Sequence, residues 1–181
     1  MKSTYLYPIK FLNGEKMKKI VLVFSLLVCC LVAKAQLAEN SIMTVKELME
    51  LAKENNFDNV KKATEAKGYK SRGGKSLIAK CFVKDCVLNG SNLVTAVNNV
   101  NTGSTVNYAS DDGAISVDVF TIANRDELIK EMEELGYVKT DTSETMDTYR
   151  KDGEMSLFNM IQYKVPGSNI TGYTLLFNPF F

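Results

Sequence analysis

The residues Gly68-Tyr69-Lys70-Ser71-Arg72-Gly73-Gly74-Lys75-Ser76 have the residue types of a phosphate-binding loop. In such a loop, backbone N–H groups cradle phosphates and a lysine reaches the terminal oxygens. The spacing fails by one position: with Gly74-Lys75-Ser76 as its end, the loop needs a glycine at 69, where Tyr69 stands. A helix is expected ahead of this stretch, whereas the motif follows a strand. It therefore reads as a basic, glycine-rich connection.

Cys81 and Cys86 form the second candidate pair. On one continuous strand they face opposite sides about 16 Å apart, too far to bridge. A turn at Lys84-Asp85 would bring them together. The two-residue spacing of a redox pair is absent, so two separate thiols are expected rather than a disulfide. The chain has no histidine, which removes Ser-His-Asp and Cys-His catalysis and most catalytic zinc sites.

The acids Asp126, Glu127, Glu131, Glu133 and Glu134 crowd one segment without the spacing or the turn glycine of a calcium loop. They read as a solvated helix face. A hydrolytic carboxylate pair leaves no local motif. No catalytic residue, metal ligand or cofactor is assigned.

Positioning of these residues begins with export. Lys18 and Lys19 precede the 13-residue apolar run Ile20–Val32, and Ala33-Lys34-Ala35 follows. This is the pattern of a cleaved secretory signal over 17–35. The run is shorter than the roughly 20 residues of a membrane span, and no transmembrane helix is expected in the mature chain. Residues 1–16 read as a misassigned start or an extended n-region. The mature chain, 36–181, then carries 16 basic and 20 acidic residues, a net charge of −4. That balance argues against nucleic-acid binding. The expected location is periplasmic or secreted.

Within 36–181, Thr44 and Glu47 form a capping box, and Val45, Leu48, Leu51 and Ala52 recur at helical spacing. Helix one is expected over 44–54. A second follows Asn55-Asn56, with Phe57, Val60 and Thr64 on one side and Gly68 at its exit. Residues 77–88 read as one strand, with Ala79, Cys81 and Val83 facing one way and Lys80, Phe82 and Lys84 the other. Residues 89–103 read as an irregular loop. Asp112-Gly113 and Asp152-Gly153 mark hairpins with type I′ turns. Asn124 is expected to cap a third helix over about 125–135, ended by Gly136. Pro166-Gly167 fits a type II turn, and 171–177 a closing strand. The fold class is α+β: two or three helices on an antiparallel sheet of about five or six strands.

Residues 57–69 recur faintly as 125–137. Asp58/Asp126, Lys62/Lys130, Glu65/Glu133, Gly68/Gly136 and Tyr69/Tyr137 match at an offset of 68. A single α+β domain is expected over 36–181, and the recurrence would divide it into the halves 44–103 and 104–181. In this order of elements, and in its Gly-Tyr helix exits, the chain resembles secreted bacterial proteins of tandem helix-plus-sheet units. The β-lactamase-inhibitory proteins are the familiar case. The resemblance implies a binding or inhibitory role. It carries over no binding residue, because no functional motif of that family is matched.

The expected function is an exported, non-enzymatic binding or inhibitory module. A small carboxylate-dependent hydrolase is the alternative. A third reading is an envelope-associated structural protein or small outer-membrane barrel, prompted by the aromatic end Tyr173–Phe181. Residues 61–84 carry eight basic residues against Glu65, while 85–160 carry 14 acids against five bases. The candidate surface is therefore Lys70, Arg72, Lys75, Lys80, Phe82 and Lys84, with Phe82 between two outward cations. The partner it would meet is an acidic protein or an anionic envelope component.

Overall fold

Thr44 starts helix α1 (Val45–Glu54) as the sequence predicts. Its hydroxyl accepts from the Glu47 N–H at 3.3 Å, and the Glu47 carboxylate accepts from the Thr44 N–H at 2.8 Å. Two of the orphan donors at the helix start are thereby satisfied. Val45, Leu48, Leu51 and Ala52 form its buried stripe. Asn56 caps α2 (Phe57–Ala66). Helix α3 (Ile122–Glu134) starts three residues earlier than its pattern suggests, because Thr121 rather than Asn124 is the cap, its hydroxyl accepting from the Asn124 N–H at 3.1 Å.

The computed structural model describes residues 42–72, 79–91 and 93–179. The signal segment, its cleavage box and Lys75 lie outside the described residues. So do Phe180 and Phe181.

Among the described residues the strands are β1 (Lys70–Arg72), β2 (Ala79–Lys84), β3 (Cys86–Leu88), β4 (Val94–Val97), β5 (Ser104–Ala109), β6 (Ile115–Val119), β7 (Val138–Thr142), β8 (Met146–Arg150), β9 (Leu157–Lys164) and β10 (Thr171–Asn178). Eight form one antiparallel sheet in the order β1-β2-β5-β6-β10-β9-β8-β7, and β3 pairs with β4 apart from it. The fold is α+β, with more strands than expected.

Two elements differ from expectation. The single strand over 77–88 is broken at Asp85, whose backbone is left-handed at φ 49°. That residue turns the chain out of the large sheet, so β2 and β3 belong to different sheets. The expected loop over 89–103 contains β4, which closes this small hairpin. The two Asp-Gly turns form, but only Gly113 and Gly153 take positive φ and their aspartates do not. They are therefore not type I′, which needs both.

The strand order is symmetric. Four strands from the first half of the chain meet four from the second at the β6–β10 pair. In sequence the first four strands of that order end with β6 and the last four follow α3. The three helices of the described residues contribute to one core with a single face of the sheet. Leu48, Val60, Leu128 and Met132 pack with Phe82, Val106, Val117, Phe158 and Leu175.

Candidate binding surface on the open face of the sheet

Because side chains alternate along a strand, the residues between those core positions point to the other face. The pairing register aligns them in two rows. One runs Arg72, Cys81, Asn107, Ser116, Leu176, Asn159, Thr148. The next runs Lys70, Val83, Thr105, Asp118, Thr174, Ile161, Met146. No helix of the described residues packs on this face. Cys81, Thr105, Ser116, Asp118 and Thr148 are buried there, Arg72, Asn107, Asn159 and Thr174 are half-buried, and Lys70 is exposed.

At its centre Asp118 is buried, 8% exposed. Thr174 Oγ1 donates to its Oδ1 at 2.5 Å, and Thr105 Oγ1 donates to its Oδ2. Burial raises the Asp118 carboxyl above the ordinary aspartate range, and the two hydroxyl donors offset part of that rise. The carboxyl thus ties β5, β6 and β10 together. Across β8 and β9, Thr148 Oγ1 donates to Asn159 Oδ1 at 3.0 Å. One end of the face is roofed by the β3–β4 hairpin, where Val94 packs with Phe120 and Val165 beside Cys86, Leu88 and Tyr163.

The expected basic surface is split. Lys70 and Arg72 are on the open face, and the Arg72 Nη1 atom is buried without a hydrogen-bond partner among the described residues. Lys80, Phe82 and Lys84 are on the opposite face, under the helices, which corrects their expected outward display. Phe82 is 0% exposed and stacks on Phe57 of α2 at 6.1 Å between ring centroids. Lys84 is 7% exposed; its Nζ donates to the Lys67 carbonyl at 2.7 Å and lies 5.7 Å from the Tyr69 ring centre. Lys80 keeps its stem along Phe57, with Nζ 5.9 Å from the ring centre. The physical reason is that one buried phenyl ring outweighs two lysines whose long stems can lie on apolar surface.

Cys81 and Cys86 are both free. Burial pushes the Cys81 thiol up to about 11 and the Cys86 thiol up to about 12, so neither is a thiolate nucleophile at neutral pH. Of the acids on α3, Glu131 serves the fold directly. Its Oε2 accepts from the Val45 N–H at 2.7 Å and so caps α1 from a distant helix. Among the described residues, no group of three or more His, Cys, Asp and Glu could hold a metal ion.

Sequence reasoning does not single out the open-face residues Asn107, Ser116, Thr148, Asn159 and Thr174. Their signal is the polar half of each strand's alternation, as in Ile115-Ser116-Val117-Asp118-Val119. That pattern marks a second face but not what lies on it.

No protein-family profile, curated protein or solved structure matches this chain.

Proposed function

We propose that the chain is an exported, non-enzymatic binding or inhibitory module that docks a protein partner on the open face of its sheet. The observation that carries this reading is the segregation of the three helices of the described residues to one side, which leaves in-register polar rows on the other. The half-buried Asn107 and Asn159 and the exposed Lys70 offer donors and acceptors at fixed spacing on a rigid scaffold, which suits recognition. Lys70 and Arg72 at one edge favour a partner with acidic groups there. Export rests on the signal pattern over 17–35.

The test is capture from envelope extract with the immobilised chain and two charge insertions on the open face, Asn107→Arg and Asn159→Arg. The helix-side change Lys80→Glu serves as control. Both arginine variants should lose the captured partner while remaining folded by circular dichroism, with Asn159→Arg melting somewhat lower because it removes the acceptor of the Thr148 hydroxyl. Capture that survives both and fails with Lys80→Glu would overturn the reading.

A further inference from the structure

The first four strands of the large sheet follow two helices, and the last four follow one. Beside that one, α3, the helix side opens into a cleft of about 390 Å³, within the roughly 300–1,000 Å³ of ligand sites. Tyr149 of β8 and Tyr173 of β10 form part of its lining. They are 2% and 6% exposed, and neither hydroxyl has a hydrogen-bond partner among the described residues. Neither oxygen is sealed from solvent, so both open into the cleft. Hydroxyls on buried side chains are ordinarily paired, and two left open at one cleft point to a bound group that pairs them.

Charge around them is balanced in sign. Arg125 and Lys139 act on the Tyr149 hydroxyl one way, Glu133 and Asp147 the other. Glu144, on the turn between β7 and β8, adds a third carboxylate to the lining. An ionic ligand of either sign therefore meets like charges. The cleft instead offers hydrogen bonds of both kinds. Arg125 spends Nε and Nη2 on Asp126 and keeps Nη1, and Lys139 gives one N–H to Asp147 at 3.0 Å and keeps the others. Glu133 has no ion pair among the described residues and only accepts, and the Gln162 amide does both. A sugar hydroxyl is donor and acceptor at once, so a ring of hydroxyls uses every one of these groups. An ammonium only donates and a carboxylate only accepts.

We propose that this cleft binds a neutral hexose, with the Tyr149 and Tyr173 hydroxyls hydrogen-bonded to the sugar. The cleft is on the face opposite the polar rows and does not depend on the role assigned to them.

The experiment is an NMR titration of the protein, observed at its tyrosine rings, with glucose, galactose and mannose in turn. Glucuronate and glucosamine are titrated in parallel, at a pH where the first is a carboxylate and the second an ammonium. Saturable shifts at Tyr149 and Tyr173 are expected with at least one neutral hexose, and binding of both charged rings should be weaker by about fivefold or more. Tyr149→Phe/Tyr173→Phe, which removes only the two hydroxyls, should weaken hexose binding by about tenfold without lowering the melting temperature. Gln162→Ala, at an exposed position, should weaken it severalfold. The proposal is overturned if none of the three hexoses saturates, if either charged ring binds as tightly as the best hexose, or if both variants bind as well as the parent. A double variant that melts well below the parent also overturns it, because the hydroxyls would then be holding the fold.

Discussion

Tyr69 and Tyr137, 68 residues apart, make the same set of contacts in the two halves of the fold. Each follows a glycine in the left-handed region, Gly68 at φ 81° and Gly136 at φ 88°. Each returns its backbone N–H to the preceding helix, Tyr69 to Thr64 O at 3.1 Å and Tyr137 to Met132 O at 3.0 Å. Each hydroxyl meets a serine at 2.9 Å, Ser104 at the head of β5 and Ser156 just before β9. A lysine lies over each ring, Lys84 at 5.7 Å and Lys151 at 5.9 Å. With the symmetric strand order, this correspondence extends the five matched positions to side chains that no linear offset aligns. The β3–β4 hairpin is an insertion in one half that breaks the offset.

Gly68→Val and Gly136→Val should each lower stability by about 1 kcal/mol or more, since a β-branched residue is strained at positive φ. Thermal melts of both variants check this. Unchanged melting temperatures would contradict the helix exits described above.

Phe82→Ala should cost about 3–5 kcal/mol, the range for emptying a buried aromatic site. Lys80→Ala should cost less than about 1 kcal/mol, because it loses one partly exposed cation–ring contact. Urea denaturation of the two variants distinguishes a core residue from a display residue. Equal, small effects would mean that Phe82 is not under α2.

Asp118 should make stability pH-dependent. Its folded carboxyl is raised above the ordinary value of 3.8 by burial, so the native state binds the proton more tightly than the unfolded chain. The contribution is favourable at low pH and is lost as pH rises through the folded value. Asp118→Asn removes this titration. The stability difference between variant and parent should therefore move in favour of the variant from acid to neutral pH, as read from denaturation curves at several pH values. A pH-independent difference would show that the carboxyl is not desolvated.

Both thiols should resist iodoacetamide near pH 8 in the native protein and react once it is unfolded. The reason is that burial holds their ionisation near 11 and 12. In a chain over 36–181, which lacks Cys29 and Cys30, mass spectrometry reads two added groups after denaturation without reductant. A native mass lower by two hydrogens would show a bridge instead.

Local signals in the sequence determined the ends of the elements. The Thr44–Glu47 box, the glycines at 68 and 136 and the Asp-Gly pairs act through neighbouring backbone, so their effects are legible over a few residues. Periodicity likewise marked the buried stripe of α1. What only the tertiary structure decided is which face of each strand the helices cover. In 79–84, both faces carry apolar residues, Cys81 and Val83 on one and Phe82 on the other, so alternation alone does not say which is inside. The packing of Phe57 against Phe82 settles it, and the lysines follow by laying their stems over the rings. The break at Asp85 is also tertiary, because its left-handed backbone serves a hairpin that packs on Phe120 and Val165 from distant segments. The polar rows exist only after strands far apart in sequence are brought into register, which no local pattern encodes.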